Sequence, residues 1–233
     1  MKDVIISLII IVVTAALIAA LFAVKAAQSR AQRLALQAYC AAHGLTYTEV
    51  AERLKSAFVI RGDGWLLESA TVMAERGSES GSMDAALSTR WQSDTDAPCT
   101  HSLHLGTALG PLNPPSGLAL ATLAAAVFSP ADGATSPVSL GPVLDARFVL
   151  LAQPGATASL LGTEVPLILA AWPEGWPLTV AVHPHGIRIE LQGKRLKTAQ
   201  ELDTLITLGL ALRAQMQATA TVDDAHDEKE DAL

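Results

Sequence analysis

Val4-Ile-Ile-Ser-Leu-Ile-Ile-Ile-Val-Val-Thr-Ala-Ala-Leu-Ile-Ala-Ala-Leu-Phe-Ala-Val24 carries no charged residue over 21 positions. At about 1.5 Å of rise per residue, such a run is about 30 Å long as a helix, the thickness of a bilayer's hydrocarbon core. Backbone polar groups in lipid can bond only to one another, so the run must be helical. Ser7 and Thr14 are its only hydroxyls, and each can bond back to a carbonyl of the preceding turn. The competing reading is a cleaved secretory signal, with Lys2 as a minimal basic end and small residues near Ala23 and Ala26 as a cleavage site. The apolar stretch of a signal usually runs about 7–15 residues. Length therefore favours an uncleaved transmembrane anchor at 4–24, behind a short tip at 1–3.

Outward from the anchor, charge gives an orientation. Lys25, Arg30 and Arg33 follow it with no acid before Glu49, whereas the N-terminal side holds the α-amino group, Lys2 and Asp3. Positive charge stays on the cytoplasmic side, so a single-pass inner-membrane protein with a cytoplasmic soluble part is expected. A periplasmic domain is the alternative if the two positive groups at the N-terminus outweigh that bias. The 233-residue chain has a formal net charge of −7, which excludes nucleic acid as a partner, since phosphate binding needs a net basic face. Aromatics are only 4%, so the core must be built from Ala, Leu and Val. The two cysteines, Cys40 and Cys99, make no disulfide framework and fit a reducing compartment.

Between Lys25 and His43 there is no Gly or Pro, and Ala, Gln, Leu and Arg dominate, so the helix should continue as a stalk over 25–43. Leu34, Tyr39 and Ala42 would share a face, with Leu36 beside them, and Gly44 sits where a C-cap glycine belongs. A straight stalk would lift the domain about 25–30 Å off the bilayer; the alternative is that it folds back on the domain.

Over 44–218 the patterning predicts an α+β domain. Leu45–Thr48 alternates as a strand, Val50–Lys55 reads as a turn of helix, and Phe58–Arg61 and Trp65–Val72 flank Gly62-Asp63-Gly64 as a hairpin. Ser78–Ser82 is a loop, and Ala86–Trp91 and Thr100–Leu105 are strands joined by a polar loop at Gln92–Pro98. Gly106–Gly117 is a connector, Leu118–Phe128 a buried Ala/Leu helix too short to cross a bilayer, and Ser129–Pro142 a loop. Arg147–Leu151 is a strand, Ala156–Leu161 a short helix, Val165–Ala171 an apolar segment and Trp172–Pro177 a turn. Leu178–Val182 and Ile187–Leu191 form a hairpin around His183-Pro184-His185-Gly186. Thr198–Gln217 closes the domain as a long amphipathic helix, with Leu202, Leu205, Ile206, Leu208, Leu210 and Leu212 as its apolar face and Thr198 and Glu201 as a capping box. Within 44–218 the stretches 44–106 and 143–218 could be related halves. From Asp223 to Asp231 there are six acids and one lysine, so 219–233 is expected to be a disordered acidic tail.

Tyr39-Cys-Ala-Ala-His-Gly-Leu-Thr-Tyr47, Gly64-Trp-Leu-Leu-Glu68 and Leu144-Asp-Ala-Arg-Phe-Val149, together with the closing hairpin and helix, give the chain a layout. That layout resembles a loose group of uncharacterised bacterial single-pass membrane-anchored proteins. The resemblance implies a membrane-anchored α+β protein and brings no activity or catalytic residue with it.

Candidate chemistry is sparse. Cys99-Thr-His101-Ser-Leu-His104 has metal-ligand residue types, but on a strand Cys99 and His101 share one face and His104 takes the other, which splits the trio and favours surface-strand histidines. His183 and His185 join only through long-range folding, and their place in a Pro–Gly turn accounts for them without catalysis. Gly77-Ser-Glu-Ser-Gly81 puts Glu79 where a nucleophile elbow needs serine. Neither cysteine has a basic neighbour that would lower its pKa. No phosphate-binding loop or dinucleotide fingerprint occurs, so no catalytic, cofactor-binding or metal residue and no cofactor is assigned. Asp63 and Glu68 read as solvated, and Trp65, Trp91, Trp172 and Trp176 as core caps, the last two alternatively as an exposed platform. The expected function is a non-enzymatic interaction or scaffold module at the cytoplasmic face, with the lipid bilayer and a protein as partners. The alternative is a membrane-tethered hydrolase or metal-dependent enzyme whose site gathers distant residues such as His101, His104 and Asp145.

Overall fold

The structure, a computed structural model, describes residues 2–75, 83–94, 102–107, 136–153, 161–183 and 186–230. It is an α+β fold: a long apolar N-terminal helix, a nine-stranded antiparallel sheet and a long C-terminal helix. The first helix, α1 (Lys2–Ala42), is unbroken. It contains the stretch among the described residues that is long and apolar enough to cross a membrane, and none of that stretch is buried. No helix breaker lies between Lys2 and Ala42, so the apolar run and the segment after it are one element. Leu45 N–H bonds the Cys40 carbonyl at 2.8 Å, and Gly44 takes φ +67 to end the helix.

The sheet order is β1-β2-β3-β4-β9-β8-β5-β7-β6. Its first part is a meander of β1 (Thr46–Ala51), β2 (Lys55–Gly62), β3 (Trp65–Glu75) and β4 (Met83–Asp94). The second contains β5 (Leu103–Thr107), β6 (Ser136–Val138), β7 (Phe148–Ala152), β8 (Thr179–His183) and β9 (Gly186–Gln192). Two short helices, α2 (Pro142–Asp145) and α3 (Glu164–Ala170), precede the closing helix α4 (Ala199–Glu230). The strand order is not repeated between the two parts. β5, which a division at residue 106 would assign to the first, sits between β8 and β7 of the second.

The hairpin across Asp63-Gly64 is as expected, with Gly62 paired to Trp65 and Gly64 at φ +69. Arg213 of α4 donates to the Asp63 carbonyl, so the closing helix holds this turn. Several expectations are corrected. Val50–Lys55 is not helical: Val50 and Ala51 stay in register with Ala57 and Ser56, and Glu52 and Lys55 exchange backbone hydrogen bonds at 2.8 and 3.3 Å to close a tight reversal. β4 runs on through Gln92 to Asp94 because those residues pair with Arg188 to Gly186. Inside the expected loop at 129–142, Ser136–Val138 pairs with β7 as an edge strand, where Pro137 is tolerated. The expected loop at 78–82, helix at 118–128 and most of the helix at 156–161 lie outside the described residues, as do Pro184 and His185 of the second turn.

One face of the sheet is apolar. Phe58, Ile60, Leu67, Trp91, Ile187, Ile189 and Leu191 join Leu202, Leu205, Leu208 and Leu212 of α4 in a single core. Leu210 is 42% exposed, because it lies about 200° around the helix from Leu208. Over β2, β3, β4 and β9 the opposite face is charged and partly solvated, with Lys55–Glu68 at 2.6 Å and Arg90–Glu190 at 2.9 Å. The α4 backbone continues to Glu230, past residue 219, where composition alone predicts a disordered tail. No Gly or Pro after Gly209 would stop it.

Candidate functional site: a crevice beside the anchor helix

α1 is exposed from Ile10 through Ala35, then buries Leu36 and Cys40 and half-buries Tyr39 against the domain. These positions are spaced three and four apart and form one stripe of the helix. Leu34 is 65% exposed and Ala42 is exposed, so the docking face is not the one their spacing predicted. The Tyr39 hydroxyl donates to Asp203 of α4 at 2.9 Å, and Arg33 pairs with Glu49 of β1 at 3.2 Å. Contact with the domain thus starts at Arg33, about 14 Å along the helix from Val24, half the stand-off of a straight stalk.

The same stripe, one turn nearer the apolar run, lines a crevice of about 290 Å³ with Ser29, Gln32 and Arg33. Its far wall is the linker between β9 and α4, which supplies Arg195 and Lys197. A buried chain of hydrogen bonds fixes that linker: Leu196 N–H to Ser69 Oγ at 3.0 Å, Ser69 Oγ with Thr89 Oγ1 at 2.8 Å, and Thr89 Oγ1 to the Lys194 carbonyl at 2.9 Å. Thr89 spends its proton on Lys194, so Ser69 must donate to Thr89, and each hydroxyl donates once and accepts once. With Lys194 and Leu196 pinned inward, the alternate residues Arg195 and Lys197 are left to the crevice. Arg195 bonds two neutral hydroxyls, Thr71 Oγ1 at 3.1 Å and Ser56 Oγ at 3.4 Å. Three cations face one carboxylate, Glu49, which also accepts from Tyr47 Oη at 3.0 Å. Burial first, then the Glu49 hydrogen bond and charge, push the Tyr47 phenol up to about 12. Burial, then the Asp203 hydrogen bond, do the same for Tyr39.

Arg195 and Lys197 escaped the sequence reading, although Lys194-Arg-Leu-Lys197 puts three cations in four residues just before a capping box.

The residues singled out for metal chemistry fare differently. Cys99 and His101 lie outside the described residues. His104 is only 7% exposed, so the surface-histidine reading is corrected: β5 is central, and this side of the strand is covered. The fold brings His183 beside it, with ring centroids 5.3 Å apart. Asp145 is occupied in its own turn, bonding Ser139 Oγ at 2.5 Å and Leu140 N–H at 2.7 Å, which holds its carboxyl below the usual range. Among the described residues no group of three His, Cys, Asp or Glu converges to hold a metal. Burial raises the Cys40 thiol pKa, the reverse of an activated nucleophile.

The tryptophans cap the core. Trp172 is buried and Trp176 half-buried, at 89° to each other, with Lys194 Nζ 4.2 Å over the Trp176 ring. Beside them Arg147 and Phe148 border a cleft of about 370 Å³. The Arg147 guanidinium is already committed to the Ala170 and Trp172 carbonyls at the end of α3, at 3.1 and 2.5 Å.

No protein-family model matches the chain. No curated protein matches it either. Among solved structures, the mycobacterial trehalose monomycolate transport factor A, TtfA, is similar at 10% sequence identity and a TM-score of 0.43, over 82% of this chain and 94% of that one. A likeness at that level carries no argument about function.

Proposed function

We propose that the chain is a single-pass, membrane-anchored, non-enzymatic scaffold module, held close to the cytoplasmic face of the inner membrane and offering a protein-binding surface there. The observation that carries this reading is the unbroken α1, exposed from Ile10 through Ala35 and then clamped to the domain by Leu36, Tyr39, Cys40 and Arg33. An anchor coupled in this way fixes the module's height and orientation, which suits a scaffold and serves no purpose for a freely diffusing catalyst. Lys25, Arg30 and Arg33 support the cytoplasmic placement. The charged sheet face, with Arg90, Arg188 and Glu190 at its centre and Val72 exposed toward one side, supports a protein ligand.

The test is photo-crosslinking in intact cells from a probe at Gln192, on that face. A discrete protein adduct is expected, absent when the probe sits at Gln217. No adduct from any position on the face, or stoichiometric metal in the purified full chain, would turn the case toward the enzyme reading. A reporter active only in the periplasm, fused after Gln217, should stay silent; a strong signal would overturn the sidedness.

A further inference from the structure

We infer that the crevice beside α1 binds the phosphate-bearing headgroup of an anionic membrane lipid. The inference rests on the proposed anchoring and adds a ligand to it. Position is the first support. Lys25, Ser29, Gln32, Arg33 and Leu36 follow one stripe of α1, and the crevice begins at Ser29, only about 7 Å beyond Val24 along the helix. With the apolar run in the bilayer, that sets the mouth of the crevice at the outer edge of the lipid-headgroup layer. Charge is the second. A chain of net charge −7 places Arg33, Arg195 and Lys197 around one cavity with Glu49 as the single lining carboxylate among the described residues, and Lys25 one turn nearer the membrane. The acidic segment from Asp223 lies about 30 Å farther along α4 than Asp203, which the anchor helix touches.

Chemistry is the third support. Arg195 is oriented by two hydroxyls, and among the described residues it has no carboxylate partner to neutralise it. A guanidinium held by neutral groups keeps its charge and remaining donors for an oxyanion, for which its planar fork is suited. Lys197 is exposed beside it, and its backbone N–H bonds Glu201 at 2.6 Å. Ser29 and Gln32 add neutral donors for phosphate-ester and glycerol oxygens. The α4 N-terminus is not the anion site, since Thr198 and Glu201 already cap it.

The experiment uses the full chain in nanodiscs of phosphatidylcholine, alone or with phosphatidylglycerol, and counts co-purified lipid by native mass spectrometry after gentle extraction. One phosphatidylglycerol per chain should be retained in preference to phosphatidylcholine. Each cation removed should weaken retention about fivefold: Lys197→Gln, whose side chain makes no bond among the described residues, by that factor, and Arg195→Gln with Lys197→Gln by about 25-fold. Arg61→Gln, an exposed cation on β2 outside the crevice, should change nothing. Equal retention of the two lipids, or a Lys197→Gln chain that holds phosphatidylglycerol like the parent, would overturn the inference while leaving the anchor intact. Displacement of the lipid by equimolar inorganic phosphate would assign the crevice to free phosphate and overturn the lipid source. A chain that enters neither nanodisc would contradict the anchor and the inference with it.

Discussion

Trp91 is fully buried, and Gly209 is the residue that makes room for it. A Cβ on Gly209 would lie 2.4 Å from the indole ring. Two effects compete in Gly209→Ala. Helix propensity favours alanine by about 1 kcal/mol, while forcing a methyl group against an immobile ring costs about 1–3 kcal/mol. The ring cannot swing away, so the clash wins and the variant should unfold earlier in urea than the parent; greater stability would show that Trp91 is free to move. Such a glycine is invisible in sequence, where it reads as a mild flaw in a good helix. Leu36 and Cys40 were equally illegible: Leu34 and Leu36 are equivalent in composition, and only the position of the sheet edge decides which one is buried. Gly64 and Gly44 were legible because a turn and a helix end each demand a backbone that glycine supplies locally.

At the scale of elements, the closing helix follows its periodicity. Leu202, Leu205, Ile206, Leu208 and Leu212 are buried, and the capping box forms with Glu201 N–H to Thr198 Oγ1 at 3.2 Å and Thr198 N–H to Glu201 at 3.1 Å. Leu205→Ala should therefore cost about 2–5 kcal/mol and Thr198→Ala about 0.5–2 kcal/mol, read from denaturant midpoints of the full chain in detergent. The reverse order would mean that the helix is not docked by this stripe. Glu201 also gives the fold an acid limit. Burial works to raise its pKa, but Lys194 and the N–H groups of Lys197 and Thr198 outweigh it, and the net shift is downward; Glu190, between Arg188 and Arg90, behaves alike. A carboxyl depressed in the folded state contributes stability that is present above its unfolded pKa of about 4.3 and lost as pH falls through the folded value. Stability should drop below about pH 4, and less steeply in Glu190→Gln with Glu201→Gln; identical pH profiles would refute the assignment. The β2–β3 and β8–β9 hairpins were legible because two-residue reversals are local. The ends of β4 and β5 were not, since pairing partners far along the chain set them.

For the whole molecule, the clamp between anchor and domain decides how the module meets the membrane. Both tyrosines of the chain, Tyr39 and Tyr47, sit at this junction and are pushed up to about 12. A phenol whose pKa is raised in the folded state contributes stability that is full below its unfolded value near 10 and lost as pH rises through the folded one. Tyrosinate absorbance of the full chain should thus rise near pH 12, with the junction loosening in step; a midpoint near 10 would show both phenols exposed and the clamp absent. Sequence offered this junction only as the alternative of a stalk folded back on the domain, because its partners, Glu49 for Arg33 and Asp203 for Tyr39, meet across the fold. The most direct test of the clamped anchor is a pulsed electron-paramagnetic-resonance distance in bilayer nanodiscs. Spin labels would stand at Ala27 on α1 and Gln200 on α4, in a chain whose Cys40 and Cys99 are replaced. A single narrow distance distribution is predicted; a broad one, as from a domain swinging on a loose stalk, would contradict it.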